Sequence, residues 1–462
     1  MSQSTRTEVA RKLQEFGKSH GLPFRDILDP AMIEAAMEAE GVKFNRSLYT
    51  PMTTLCLFLS QVLDPDHSCR AAVARLVLWA AIRGRKPCSA ETGTYCDARR
   101  RLPLGVVMRV VRQGALEIED EAADGWLWKG RRVVMVDGTT LSMPDTPENQ
   151  GAFPQMEAQK PGLGFPLARI VAIIALATGV ARDLASGPYS GKETGETALF
   201  RTLWDGLRAG EIVLGDRSFA SFFGIAGLSQ RDVDALFRMH QRRRYDFRRG
   251  RCLGVEDHVV AWVKPARPEW MDEATYQSMP DTLEVRELRV KVDRRGYRVG
   301  ELVLATTLLD AAAYDKEDVA DLYLQRWNIE LDLRSIKDVM QMDILRCKTP
   351  EMVEKEIWMH LLAYNLIRGV MARAGEAHGV PPRSVSFKGT LQTMAAFADA
   401  LQFVSPQVRT LLLEAMLAAI AVHRVGGRPG RFEPRAVKRR PKPHRYLTEP
   451  RTAARNRLLL QN

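Results

Sequence analysis

The stretch YLQRWNIELDLRSIKDVM (323–340) sets a tyrosine, two cations and a carboxylate among apolar residues that favour burial. On a helix turning about 100° per residue, Tyr323, Arg326, Glu330 and Lys337 share one narrow stripe. Leu324, Trp327 and Leu331 flank it on one side; Ile329, Leu333, Ile336 and Met340 flank it on the other. Asn328, Asp332 and Ser335 form a separate polar face opposite. A helix that is apolar on two flanks packs on both. A charged stripe between them is costly to desolvate unless it holds something charged. The plainer alternative is an i,i+4 pair of Arg326 with Glu330 on a solvated face, worth a few tenths of a kcal/mol.

Two further carboxylates end apolar runs: Asp137 closes VVMVD and Asp216 closes IVLGD. The carboxyl ends of core strands are where an open α/β sheet binds its ligand, although a lone aspartate there often caps a turn. Brought together, Asp137, Asp216 and Glu330 repel one another and raise their pKa values. A hard divalent cation relieves that repulsion, and oxygen-only ligation favours Mg²⁺ or Mn²⁺ over Zn²⁺. Two such ions clamp the attacking and leaving oxygens of a phosphodiester displacement. The chain carries 67 Lys+Arg against 56 Asp+Glu, a net charge of +11. That balance suits a polyanionic partner, nucleic acid first and anionic membrane second. Metal and basic charge together predict a metal-dependent enzyme acting on DNA or RNA.

The elements that must carry these residues show as changes of pattern. Residues 1–128 read as a helical N-terminal region, with AMIEAAMEA and CRAAVARLVLWAAI as good helix formers. Within it, CSAETGTYCDARRRLP predicts a short helix ending in Arg99, Arg100 and Arg101. Two readings stand: a helix-turn-helix fragment contacting phosphates, or a solvated basic turn. Residues 129–345 turn to an α/β pattern. RRVVMVDGTTLSM (131–143) predicts a hairpin broken at Gly138, and ARIVAIIALATG (168–179) a buried strand. GETALFRTLWDGLRAG (195–210) predicts an amphipathic helix closed by Gly210. EIVLGDRSFAS (211–221) predicts a strand running into a turn, and ALFRMH (235–240) another strand. Residues 241 to about 300 open on QRRRYDFRRGR and continue as a β-rich insertion, after which ELVLATTLL leads back to the opening stretch. Residues 346–425 are helical again. The basic tail 426–462, rich in Gly, Pro and cations, should form no core. Its Lys438, Arg439, Arg440 and Lys442 should add sequence-independent affinity for DNA.

DGTTLSMPDTPEN, GDRSFAS and YLQRWNIELDLRSIK resemble the DDE transposases of bacterial insertion sequences. The subgroup is the one with a Tyr-(2)-Arg-(3)-Glu-(6)-Lys signature, whose spacing Tyr323, Arg326, Glu330 and Lys337 meet without a gap. LLAYNLIRGVM and FEPRAVKRRPKP are similar to its downstream blocks, so the resemblance runs from about residue 85 to 445. It implies an α/β fold: a ribonuclease H-like catalytic core with a β-rich insertion, flanked by helical N- and C-terminal regions. It implies Asp137, Asp216 and Glu330 as the catalytic metal triad, with Mg²⁺ or Mn²⁺ as cofactor. It places Tyr323, Arg326 and Lys337 on phosphates of the cleaved end. The implied activity is to bind insertion-sequence ends in double-stranded DNA, cleave them by hydrolysis and transesterification through a hairpin, and join the 3′ ends to target DNA. The implied assembly is a homodimer in a synaptic complex. A ribonuclease H-like nuclease that cuts without joining and a domesticated DNA-binding protein without catalysis are the alternatives. One departure is Leu302, which stands where some relatives stack a flipped base on a Trp; Trp262 and Trp270 lie upstream, where core roles are expected.

Other classes find little support. No apolar run is long enough to span a bilayer, and MSQSTRTEVARKLQEFGKSH lacks the apolar segment of a signal peptide. The expectation is a soluble bacterial cytoplasmic protein at the nucleoid. Six scattered cysteines without a CxxC argue against a zinc site or disulfide framework. GPYSGKET lacks the glycine spacing of a phosphate loop, and His240 and His258 have no companion ligands.

Overall fold

Burial alternates along strand β1 (Val133–Ser142): Val133, Met135 and Leu141 enter one apolar core, Val134 and Val136 another. A strand covered on both faces needs this arrangement. The computed structural model describes residues 30–43, 48–82, 88–291, 300–425 and 445–460. Before β1 come helices α1 (Pro30–Ala39), α2 (Pro51–Leu63), α3 (Cys69–Ile82), α4 (Gly93–Arg101) and α5 (Leu104–Asp120). After it come α6 (Pro147–Ala152), β2 (Leu167–Ala175), β3 (Ala181–Pro188), α7 (Glu196–Arg201), β4 (Ile212–Gly215), α8 (Phe222–Ser229) and β5 (Asp234–Arg238). The next run is β6 (Arg251–Gly254), β7 (Asp257–Val263), α9 (Glu273–Ser278), β8 (Thr282–Lys291) and β9 (Glu301–Thr306). The helices α10 (Lys316–Leu324), α11 (Asn328–Arg334), α12 (Pro350–Ala377), α13 (Phe387–Phe403), α14 (Pro406–Val422) and α15 (Arg451–Leu460) complete the order.

The strands form one sheet in the order β3-β2-β1-β4-β5-β9-β8-β7-β6. β1, β2 and β3 are antiparallel neighbours, whereas β4 and β5 run parallel to β1. The strands of the β-rich insertion are not a separate body: β9 pairs antiparallel with β5, and β8, β7 and β6 extend the same sheet. The hairpin expected at Gly138 does not form. β1 passes straight through the glycine and stays paired with β2 from Val134 to Ser142. The expected helix 195–210 is shorter, ending as α7 with a 3₁₀ turn at Trp204–Gly206. One face of the sheet carries α7 and α8 through Leu199, Phe200 and Phe222. On the other face, helices from before and after the sheet share a core, with Val106 and Val110 of α5 and Ile357 and Leu361 of α12.

The signature stretch is helical but not uniformly so. α10 passes into a 3₁₀ turn at Gln325–Trp327, then α11, then a π turn at Ser335–Val339. The second flank is buried as expected, with Ile329, Leu333, Ile336 and Met340 at 0–6% exposure. The first flank is not, because Leu331 is 55% exposed. The polar face opposite is also not solvated throughout, because Asp332 is fully buried. Its carboxylate accepts from Arg383 Nη1 at 2.6 and 2.7 Å and from Arg368 Nη2. Arg383 also donates to the carbonyls of Leu176 and Ala175, both at 2.7 Å. Arg368 Nε donates to the Tyr364 hydroxyl (2.9 Å), which donates to the Gly179 carbonyl (2.8 Å). Gly179 has φ +81°, and a Cβ there would stand 2.9 Å from the Arg368 guanidinium carbon. One buried carboxylate thus ties α11 to α12 and to the β2–β3 turn. Asp332→Ala would leave the buried Arg368 and the partly buried Arg383 without the acid they share, and urea unfolding should show a loss of about 3–5 kcal/mol. A loss below about 1 kcal/mol would mean that the cluster does not hold the helix.

Candidate active site

Strand register brings the two aspartates together. β1 pairs with β4 with Met135 opposite Leu214, so two residues further on Asp137 and Asp216 leave adjacent parallel strands side by side. β4 pairs with β5 with Gly215 opposite Phe237, which sets Arg238 beside Asp216 on its other side. Asp137 Oδ1 accepts the Gly138 N–H at 2.8 Å. Asp216 Oδ1 accepts the Ser218 N–H and hydroxyl at 2.7 and 2.5 Å, which fixes its carboxylate at the turn.

The signature residues arrive from one face of the sheet. Arg326 lies between two acids, with Nη1 3.7 Å from Asp137 Oδ2 and Nη2 donating to Glu330 Oε1 at 2.9 Å. The i,i+4 pair with Glu330 therefore exists, but on a buried arginine: Arg326 is 7% exposed. Its Nε has no hydrogen-bond partner among the described residues. Glu330 is the outermost acid, its side chain 52% exposed. Lys337 Nζ donates at 3.0 Å to Thr139 Oγ1, two residues after Asp137 and on the same face of β1. Tyr323 is only 2% exposed, its ring edge-on to Trp327 at 6.2 Å. Burial pushes its hydroxyl up to about 12 against the opposing charges of Arg326 and Arg238, so it stays protonated. The stripe does bring Tyr323, Arg326, Glu330 and Lys337 towards Asp137. Tyr323, however, lies beneath Arg326 and does not face solvent.

Electrostatics mark the site. Burial drives Asp137 up to about 6, opposed by the Gly138 N–H and Arg326 and reinforced by Glu196 and Asp216. Among the described residues no group of three His, Cys, Asp or Glu side chains is gathered closely enough to hold a metal ion as it stands. Arg326 accounts for this: its guanidinium takes the place between Asp137 and Glu330. The donor set still fits a hard divalent cation. All the candidate donors are carboxylate oxygens, Asp137 and Asp216 leave adjacent strand ends, and Arg326 brings positive charge to Asp137 and Glu330.

Glu196 and Arg238 were missed by sequence reasoning. A glutamate opening a helix looks like an ordinary response to the helix dipole, and an arginine ending a strand like a surface cation. Strand register places Arg238 and the packing of α7 against Gly138 places Glu196, neither of which local patterns carry. The basic run at α4 needs correction. Arg99 is 8% exposed, donates to Gln61 Oε1 at 3.1 Å and lies over the rings of Phe58 and Tyr95 at 4.8 and 5.2 Å. It is a packing cation unavailable to phosphate, because successive residues of a helix turn by about 100° and Arg99 alone of the three faces the core. Arg100 and Arg101 are exposed, with Arg100 3.3 Å from Asp97. Lys438, Arg439, Arg440 and Lys442 lie outside the described residues. Trp262 is buried and donates to Glu287 Oε1 at 2.8 Å, and Leu302 is buried too. Trp270 is 37% exposed and stacks on Arg201 at 3.8 Å. Among the described residues no helix is long and apolar enough to cross a membrane.

A mixed sheet whose parallel strand ends gather acids, with a further acid brought in by a helix, defines a ribonuclease H-like catalytic core. The family profile described as "transposase DDE domain" matches residues 128–366, more than half of the 462. The chain belongs to this family of DDE transposases, divalent-metal-dependent enzymes that cleave DNA and transfer its strands. It is 29% identical over 434 residues to transposase InsG for insertion sequence element IS4 of Escherichia coli (strain K12), covering 92% of this chain and 93% of that one. It is 39% identical over 82 residues to the transposase for insertion sequence element IS421 of Escherichia coli, 18% of this chain and 21% of that one. A piggyBac transposase synaptic complex with hairpin DNA aligns over 86% of this chain and 84% of that one at 10% identity and a TM-score of 0.41.

The raised Asp137 has a sign that can be measured on metal-free protein. Its folded value of about 6 lies above the ordinary carboxylate range. The folded state therefore keeps the proton longer than the unfolded chain, and stability falls as pH rises from about 4 to about 6. Asp137→Asn removes that penalty. Melting in EDTA should show the variant more stable by about 1–3 kcal/mol above pH 6, with the gain vanishing near pH 4. Equal stabilities at both pH values would mean that the carboxylate bears no burial cost.

Proposed function

We propose that Asp137, Asp216 and Glu330 bind Mg²⁺, that Arg326 and Lys337 hold the phosphates of a cleaved transposon end, and that the substrate is duplex DNA carrying inverted-repeat ends. The observation that carries this reading is Arg326: a buried guanidinium set between two of the acids, with one N–H unspent among the described residues. Bound there, a pair of such ions would supply Lewis acidity at the attacking and leaving oxygens of the phosphodiester. The chain's own groups do the rest. Arg326 exchanges its carboxylate partners for a phosphate, a bidentate match for its fork of donors. Lys337 leaves Thr139 to hold the same strand. Tyr323, kept protonated by burial, fixes the seat from which Arg326 moves. The exchange would couple phosphate binding by Arg326 to the freeing of Asp137 and Glu330, the carboxylates that would hold the metal.

Around this centre, the helical region 1–128 recognises the transposon end with Arg100 and Arg101 among its phosphate contacts. The tail 426–462 adds affinity without sequence preference. Resemblance to the subgroup supports release of the element through a hairpin and a homodimer on paired ends.

Asp137→Ala, Asp216→Ala and Glu330→Ala should each abolish cleavage of an end substrate while DNA binding in EDTA largely survives, because phosphate contacts come mainly from cations. Arg326→Ala and Lys337→Ala should still nick but stall before the hairpin and the joined product, since both steps need the cut end held. Gels of intact and pre-nicked ends separate these outcomes. Parental conversion of nicked DNA by both cation variants would remove the phosphate-holding role. For the tail, replacing Lys438, Arg439, Arg440 and Lys442 by glutamine should weaken cognate and random DNA alike and lower the salt slope by up to about 3. A loss confined to the cognate end would assign the tail to specific readout.

A further inference from the structure

Glu196 opens α7 as a half-buried acid whose carboxylate, among the described residues, has neither a hydrogen bond nor an ion pair. Arg169, whose charge acts on it, spends its Nη1 on the Thr194 carbonyl at 2.8 Å and lies over the Tyr189 ring at 4.7 Å. An unpartnered half-buried carboxylate is costly, so its position needs a reason.

The position is set against Gly138. A Cβ at that residue would stand 2.6 Å from Glu196 Oε1 and 2.7 Å from its Cδ and Cγ. Gly138 lies in the straight run of β1 and pairs with Val171, so no turn calls for a glycine there. The missing side chain makes room for the Glu196 carboxylate. The metal-triad candidates flank that space from the strand end. By strand alternation Gly138 faces the α7 side of β1, whereas Asp137, the preceding residue, faces the side of the signature helix; Asp216 follows the end of β4, whose pairing with β1 is complete at Met135 opposite Leu214. Past that point the edge of β1 is open towards β4. Arg326 and Glu330 reach the opening from the face that carries the signature helix, and Glu196 reaches it from the face that carries α7. The charges of Asp137, Asp216 and Glu196 act on one another across it.

We propose that Glu196 is a fourth carboxylate of the metal site, ligating the divalent cation alongside Asp137 and Asp216 in the space that Gly138 leaves open. This rests on the assignment of the two aspartates made above. A plain helix-capping role does not explain the geometry. α7 has six residues, and a carboxylate serving its first turn would have no need to lie against β1 at Gly138.

Manganese is the probe, and the whole protein without DNA is the sample. Free Mn²⁺, counted by electron paramagnetic resonance, should show about tenfold or more weaker binding by Glu196→Gln, with end-DNA binding in EDTA unchanged and melting in EDTA no lower than the parent's. Gly138→Ala should weaken Mn²⁺ by a similar factor by displacing the same carboxylate. In the Glu196→Ala background, adding Gly138→Ala should cost nothing further. On the parent protein, Fe²⁺ with ascorbate and peroxide cuts the backbone next to the bound ion, and cuts are expected near residues 137, 196 and 216. If Asp137→Asn loses Mn²⁺ while Glu196→Gln binds it as the parent does, this inference is overturned and the triad stands. If neither variant loses Mn²⁺, the triad assignment falls and takes this inference with it. Iron cuts at 137 and 216 without one at 196 also overturn it, whether or not the variants fold.

Discussion

Like charges gathered at the ends of two parallel strands must be met by a positive charge, and this constraint organises the centre of the molecule. Asp137 shows the strain most clearly, since burial lifts it to about 6 even with Arg326 at 3.7 Å. Asp216 and Glu196 add to it from the sides. Without a counter-ion the ends of β1 and β4 would be an unfavourable place to fold around. Arg326 supplies that counter-ion from within the chain. The cost of burying its guanidinium is offset by the two carboxylates on which it sits.

An internal counter-ion works only if its helix is held in rotation and height. Asp332 does this from the far side of the same helix, clamped by Arg368 and Arg383. The clamp reaches through the Ala175 and Leu176 carbonyls into the turn after β2, and β2 pairs with β1 across Asp137. The acid that needs the charge and the helix that brings it are therefore fastened to the same pair of strands. The stretch that presents Arg326, Glu330 and Lys337 to the site while turning Asp332 inward carries a 3₁₀ turn before α11 and a π turn after it. Irregular helical turns of this kind are common at functional sites.

The parts legible in the sequence were those fixed by local pattern. The change from helical to strand-like periodicity marked the α/β core, and runs of apolar residues ending in Asp137 and Asp216 marked strand ends. The spacing of Arg326 and Glu330 announced their pair. What stayed hidden depends on partners distant in the chain. Gly138 looked like a turn because glycine commonly marks one, whereas here it yields room to an acid 58 positions later, at 196 − 138. Asp332 looked like one more residue of a polar face because its helical wheel carries no record of Arg368 and Arg383. Arg99 looked like a phosphate contact because three consecutive arginines share a composition but not a face. The register that aligns Asp137, Asp216 and Arg238 comes from strand pairing, which no short window contains.

These hidden contacts have a common logic. Asp332 has two arginines, Glu196 has the space over Gly138, and Arg99 has an amide oxygen and two aromatic rings, each at a place where packing alone would exclude a charge. The apolar cores on both faces of the sheet supply the stability, and the charged groups spend part of it to stay near the strand ends. With Arg326 as counter-ion the arrangement is neutralised enough to fold, yet Glu330 remains half exposed and Glu196 unpaired among the described residues. A centre satisfied fully by its own side chains would be more stable and would have no further use for a cation or a phosphate. The incomplete pairing is what leaves a strand-end cluster open to chemistry on a charged substrate.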